Sequence, residues 1–271
     1  MARRSSTADP DLEFLIETVS PEVGDRLRLK QILRADEAFR REYAGDEKVF
    51  RRLMGDEELF LRISPRFFFE ILLRRAARDL QFVGYTIERA PGMTIPVFDT
   101  REILDLLANE GVLMYLADML ASFTKIESYT FSFRARKGMW RKIRFNDFDI
   151  RTLMSFCEVA QDAYKFGLYK RIADVCLFIL GLFPDHAEGE YRYPRSGQIR
   201  PRAGGAARIS PEEYENEGRR FYKLAAEHPL ARDLEMTEVL GALHEKFNKA
   251  KKPLSFMAEH YMAYRRDVLF S

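Results

Sequence analysis

One segment of the chain is apolar almost all the way round a helix, and it constrains the fold more than any other feature. Ser64 precedes Pro65, a pair typical of the start of a helix. The apolar residues that follow cover most of the helix circumference: Phe67, Phe68, Phe69, Ile71, Leu72, Leu73, Ala76 and Leu80. Because such a helix has to be enclosed by other elements, the sequence predicts a core built around it.

The rest of the chain supplies the neighbours that this helix needs. The sequence has 271 residues, 46% of them hydrophobic, enough to bury a large core. The serine–proline helix start recurs at Ser20-Pro21 and at Ser210-Pro211. We therefore expect a mainly α, multi-helical fold with a small antiparallel β element that includes one hairpin, which is α+β by strict counting.

Composition divides the chain into four parts. Residues 1–9 are polar and are expected to form a disordered tail. Residues 10–183 are expected to form the helical core. Residues 184–209 are rich in Arg, Gly and Pro and predict a long loop. Residues 210–271 are expected to form a three-helix part, broken at Pro229 and Pro253.

The predicted location is cytoplasmic, with no membrane span. The first ten residues lack the apolar stretch of a secretory signal, and the longest apolar run, at 172–183, is too short to cross a bilayer. Cys157 and Cys176 lie in apolar helical patterns and form no CxxC motif, which favours buried thiols in a reducing compartment. A turn at Phe166-Gly167 would bring both thiols to one level of two antiparallel helices, at 150–165 and 168–183, and bury them there.

Two strand pairs are predicted, within residues 82–98 and 128–146. The first has short strands on either side of Pro91-Gly92, with Pro96 at an edge position. In the second, a loop of Lys137 to Met139 would pair Phe133 with Ile143 and Phe131 with Phe145. That register predicts one apolar, buried face and one basic, exposed face.

The basic face of the second hairpin is the first candidate site. No acidic residue occurs between positions 128 and 146. Cationic side chains bind phosphates, and a tryptophan stacks on bases. The candidate anion-binding residues are Arg134, Arg136, Trp140, Lys142 and Arg144. The alternative is a solvated strand face whose cations meet acids from a neighbouring helix.

The loop at 184–209 contributes further candidate anion-binding residues. It contains Arg192, Arg195, Arg200 and Arg202 with interleaved tyrosines, as in flexible arms that hold RNA or single strands. A plain surface linker explains the same composition. Because the net charge is only +2, any affinity for polyanions has to come from such local patches.

No phosphate-binding glycine loop, nucleophile elbow or HExxH motif occurs in the sequence. His244 and His260 are weak metal-ligand candidates, because a helical hairpin turning at Lys251 to Pro253 would place them at the same height. Each also lies at the edge of an apolar stripe, where half-buried structural histidines are common.

Three runs, ISPRFFFEILLRRA, IPVFDTREI and LFPDH, resemble runs in an uncharacterised prokaryotic protein family. That resemblance implies no activity and no site.

The sequence is therefore compatible with three functions. The first is a non-catalytic intracellular interaction protein, without a cofactor, that binds an anionic polymer such as RNA or DNA. The second is a helical scaffold for a protein partner. The third is a metal-dependent enzyme with a site near His244 and His260.

Overall fold

The computed structural model describes residues 8–56, 58–90, 93–124, 128–136, 139–146, 149–184, 209–263 and 269–270. Within these ranges the fold is mainly helical, with two separate two-stranded antiparallel sheets. The predicted fold class is confirmed. The described residues group into two compact units, the first formed by residues up to 124 and again from 256 onward, and the second by residues from 128 to 255.

The first unit begins with six helices. They are α1 (Asp9–Val19), α2 (Arg26–Ala35), α3 (Glu37–Ala44), α4 (Glu47–Gly55), α5 (Leu59–Arg62) and α6 (Pro65–Val83). Strands β1 (Thr86–Ala90) and β2 (Met93–Val97) follow, and then helices α7 (Thr100–Ala108) and α8 (Glu110–Ser122).

Helix α6 lies at the centre of the first unit. All eight of its predicted core residues are buried, and it packs against α3, α4, α7 and α8. Its start is the predicted cap, since the Ser64 hydroxyl accepts a hydrogen bond from the Phe67 N–H at 3.2 Å. Ser20 has a different role, because it follows α1, and Asp25 caps the next helix instead.

Among its described residues, the second unit contains strands β3 (Ser128–Arg136) and β4 (Met139–Asn146) and six further helices, the last of which extends past Ser255 to residues grouped with the first unit. These are α9 (Ile150–Val159), α10 (Asp162–Leu182), α11 (Pro211–Glu227), α12 (Pro229–Asp233), α13 (Thr237–Glu245) and α14 (Phe247–His260). Helix α10 packs against α9 and α11, and α11 packs against α13. The predicted boundary at 184–209 stays a prediction, because most of it lies outside the described residues.

The predicted helix-to-helix turn at Gly167 is wrong, because α10 runs through that residue. The break lies at Ala160 and Gln161, and Asp162 begins the next helix with an ion pair to Lys165 at 2.7 Å. Gly167 is exposed, and a glycine inside a helix costs only about 1 kcal/mol relative to alanine. One glycine therefore does not end a helix of 21 residues.

The predicted break at Pro253 is also wrong. Helix α14 contains this proline as an interior residue. Pro253 is buried together with Leu254, whose side chain lies against Gly181 of α10. Burial of this stretch offsets the loss of one helical hydrogen bond at the proline.

The predicted register of the second hairpin is wrong by two residues. Phe133 pairs with Arg141 and Phe131 with Ile143. One residue of this shift arises because Met139, assigned to the predicted loop, pairs with Arg136 as part of β4, and the other because an irregularity between Arg134 and Arg136 adds a residue to β3. Such a bulge places two residues of one strand opposite one residue of its partner, a feature that alternation of residue types does not reveal.

Candidate nucleic-acid interface

The observed register sorts the β3–β4 hairpin into two alternating sets of pairs. One set consists of Tyr129–Phe145, Phe131–Ile143 and Phe133–Arg141, and the other of Thr130–Arg144, Ser132–Lys142 and Arg134–Trp140. Successive side chains of a strand point to opposite faces of the sheet. A register that differs by two residues therefore leaves most residues of each predicted face on the same face. The second set combines cations, hydroxyl residues and tryptophan without any acidic residue.

The predicted anion-binding residues fall into three groups. Arg134, Trp140, Lys142 and Arg144 occupy neighbouring positions of that second set, whereas Arg136 lies beyond the bulge and pairs with Met139. The side chains of the hairpin are outside the described part, so their predicted burial and exposure stay predictions. Arg192, Arg195, Arg200 and Arg202 are outside the described residues altogether.

In the first unit, Arg74 forms ion pairs with nearby acidic side chains. Arg74 of α6 donates to Glu70 at 2.8 Å and forms an ion pair with Glu110. Burial lowers the pKa of Arg74, and the hydrogen bonds and charges of Glu110 and Glu70 outweigh it, giving a net rise. Arg74 therefore joins α6 to α8.

The two histidine candidates lie on different helices, His244 in α13 and His260 at the end of α14. The helix from Phe247 to His260 spans about 20 Å, so the turn that was to bring His244 and His260 together does not form. The His244 Nδ1 is 2.9 Å from the Arg219 carbonyl, and the His260 ring stacks on Phe256. No group of three or more potential metal ligands occurs among the residues that the structure places.

The cysteine prediction is partly wrong. With the break at Ala160 and Gln161, Cys157 lies in the last turn of α9 and Cys176 about two thirds of the way along α10, so the break is not midway between them as predicted. Cys176 is fully buried, as expected, but Cys157 is only half-buried. Burial raises the pKa of the Cys157 thiol to about 11, and that of Cys176 further still.

A buried polar group that sequence reasoning did not assign lies between α10 and α11. The Asp174 carboxylate is fully buried and accepts hydrogen bonds from the Tyr222 hydroxyl at 2.9 Å and from Lys170 Nζ at 2.7 Å. An acid inside an apolar helical run was the available signal. Because buried charges require hydrogen-bonding partners, this network joins the two helices.

The chain matches no family model, no curated protein and no solved structure. None of the described helices has both the length and the apolar character needed to cross a membrane.

Proposed function

We propose that the protein is a non-catalytic intracellular interaction protein that binds an anionic polymer, nucleic acid, through the β3–β4 hairpin. The observation that carries the proposal is the set of adjacent pairs Thr130–Arg144, Ser132–Lys142 and Arg134–Trp140. It lies in a stretch of sequence without acidic residues.

The spacing of these positions suits a polymer of regularly spaced charges. Alternate residues of a strand are about 6.7 Å apart, so Trp140, Lys142 and Arg144 form a row along β4. Cations along the row neutralise phosphates, and Trp140 supplies a stacking surface for one base. Arginines of the loop at 184–209 would extend the contact. The free thiols of Cys157 and Cys176 support a reducing, cytoplasmic location.

The experiment compares two triple variants that lose the same charge. One removes Arg134, Lys142 and Arg144 by alanine substitution. The matched control removes Arg28, Arg62 and Arg232, three exposed cations on helices. Binding to single-stranded RNA is measured as a function of salt concentration. The hairpin variant should flatten the slope of log affinity against log salt by about 2, since each phosphate contact contributes about 0.7.

Trp140 provides a second readout, because it is the only tryptophan in the chain. Tryptophan fluorescence should fall as RNA is added to the wild-type protein and stay constant when an uncharged polymer is added. Equal loss of affinity in both triple variants would contradict the hairpin as the site. An unchanged tryptophan signal during saturable binding would contradict it as well.

A further inference from the structure

The cations of the β3–β4 hairpin are concentrated at the end where the two strands are joined. The four cross-strand pairs nearest that end each contain one cation, and we call these pairs the tip: Arg136–Met139, Arg134–Trp140, Phe133–Arg141 and Ser132–Lys142. Of the four pairs beyond the tip, only Thr130–Arg144 contains a cation. Charge on this hairpin therefore changes along its length as well as between its faces.

The bulge in β3 distributes the tip cations over both faces of the sheet. On a regular strand, Arg134 and Arg136 would share one face, because they are two residues apart. The irregularity between them instead pairs Arg136 with Met139, which is two residues from Arg141 on β4, so Arg136 shares the face of Arg141. The tip therefore has two cationic positions on each face: Arg134 and Lys142 on one, and Arg136 and Arg141 on the other.

The tip has the dimensions of a short, narrow ribbon. Among the elements that the structure describes, β3 and β4 pack mainly against each other. At a rise of about 3.4 Å per residue, four cross-strand pairs span about 10 Å, and paired strands lie about 5 Å apart. The partner therefore has to place negative charge on both sides of a ribbon of this size.

A single strand that lies along one face of the hairpin contacts the cations of that face alone. The row of Trp140, Lys142 and Arg144 is such a face, and its use leaves Arg136 and Arg141 on the other face without a phosphate. The major groove of B-form DNA is bordered by one phosphate backbone on each side and admits a two-stranded ribbon. When the tip enters this groove end-on, with the faces of the sheet toward the two walls, each face meets one backbone.

We propose that the tip enters the major groove of duplex DNA, and that duplex DNA is the nucleic acid that this hairpin prefers. The proposal rests on the proposed function, since it requires the hairpin to bind nucleic acid. The groove is about 12 Å wide and about 8.5 Å deep, which matches a tip about 10 Å long. The minor groove, about 6 Å wide, is too narrow for a ribbon, and the major groove of duplex RNA is narrow and closed to side chains.

The test compares the affinity for duplex DNA, duplex RNA and single-stranded RNA of the same sequence as a function of salt concentration. The wild-type protein should bind duplex DNA most tightly. Replacing Arg136 and Arg141 by alanine should flatten the slope of log affinity against log salt by about 1.8 for duplex DNA, since each phosphate contact contributes about 0.9. The slope for single-stranded RNA should stay unchanged, because the row on the other face is intact.

Two matched variants accompany this one. Arg136→Lys combined with Arg141→Lys keeps both charges and should restore the wild-type slope for duplex DNA, which shows that the alanine variant lost contacts and not its fold. Arg28→Ala combined with Arg62→Ala removes two exposed cations on helices and should leave the slope unchanged.

Dimethyl sulfate identifies the groove, because it methylates guanine N7 in the major groove and adenine N3 in the minor groove. Bound protein should protect guanine N7 and leave adenine N3 reactive. Protection of adenine N3 in place of guanine N7, tighter binding of either RNA, or an unchanged duplex slope in the Arg136 and Arg141 alanine variant would overturn the proposal.

Failure of this proposal is distinguishable from failure of the proposed function. If the variant lacking Arg134, Lys142 and Arg144 still flattens the slope for single-stranded RNA, the hairpin binds nucleic acid by one face and only the groove contact is wrong. If that variant flattens the slope for neither polymer, both proposals are wrong.

Discussion

Buried carboxylates in this protein serve the structure of the helices. Asp11 of α1 is almost inaccessible and accepts hydrogen bonds from both the N–H and the hydroxyl of Ser64, each at 2.7 Å. The same serine caps α6. Asp174 is satisfied in a similar way by Tyr222 and Lys170. Since a buried charge without partners is strongly destabilising, these acids fix the relative positions of pairs of helices within each unit.

The two thiols are expected to differ in reactivity with pH. Burial, only partly offset by the charges of Lys165 and Arg220, raises the pKa of Cys157 to about 11. Because the thiolate is the reactive form, roughly one Cys157 in a thousand is reactive at pH 8. Its alkylation rate should rise about tenfold per pH unit from 7 to 9.5, without the plateau expected of a free thiol with a pKa near 8.5.

Cys176 serves as the internal comparison, since it is fully buried. It should stay unmodified until denaturant is added, when both thiols should react alike. A Cys157 rate that levels off below pH 9.5, or rapid labelling of Cys176 in the native protein, would contradict the environments described here.

At the scale of elements, two glycines in helices should respond to alanine in opposite directions. A Cβ at Gly218 of α11 would lie 2.5 Å from ring atoms of the buried Phe247 and 3.0 Å from Cys176 Cβ. Overpacking of this kind costs about 1–3 kcal/mol. Gly218→Ala should therefore lower the free energy of unfolding by about 1 kcal/mol, even after the gain in helix propensity.

Gly167 of α10 is the matched control, because a Cβ there would meet nothing within 4 Å. Gly167→Ala should raise the free energy of unfolding by about 0.5–1 kcal/mol. Urea titration followed by circular dichroism measures both changes. If Gly218→Ala proved as stabilising as Gly167→Ala, the close packing of α11 against Phe247 would be wrong.

Local signals predicted the elements more reliably than they predicted the breaks between them. Ser64 and Ser210 cap their helices as expected, whereas Ser20 does not, and its hydroxyl instead lies 2.8 Å from that of Tyr43. The three sites share a Ser-Pro pair. The contact of Ser20 is with a residue 23 positions away, which no local pattern contains.

The absence of long-range contacts from local sequence patterns also explains the other differences between the predicted and the observed structure. Glycine and proline are typical of helix ends, yet Gly167 and Pro253 lie inside long helices. Such helices are stabilised more by packing than by helix propensity. In the β3–β4 hairpin the alternation of residue types predicted which positions belong together, but the bulge at Arg134 and Arg136 moved their pairing. The sequence therefore predicted which residues of the hairpin occupy neighbouring positions, while it did not predict their cross-strand pairing.

At the scale of the whole molecule, the first unit depends on residues near the end of the chain. Phe270 is buried and stacks on Phe69 of α6, with ring centroids 5.8 Å apart. Phe270→Ala should lower the free energy of unfolding by about 3–5 kcal/mol, since a large buried ring is lost next to a core aromatic.

Leu61→Ala is the control for that substitution, because the Leu61 side chain is 84% exposed, and it should change stability by less than about 0.5 kcal/mol. Urea midpoints at constant m-value measure both variants. A loss below about 1 kcal/mol in Phe270→Ala would show that the first unit is complete without this residue.

Tyr261 and Phe270 belong to the first unit but are synthesised long after its helix α6, which has a consequence for biosynthesis. A ribosome adds about 5–20 residues per second, so Phe69 and Asp79 emerge on the order of ten seconds before Phe270 and Tyr261, their later partners. During that interval α6 lacks the two side chains that later pack against Phe69 and bond to Asp79. Until Phe270 and Tyr261 are synthesised, we therefore expect these positions of α6 to be accessible to chaperones that bind exposed apolar segments.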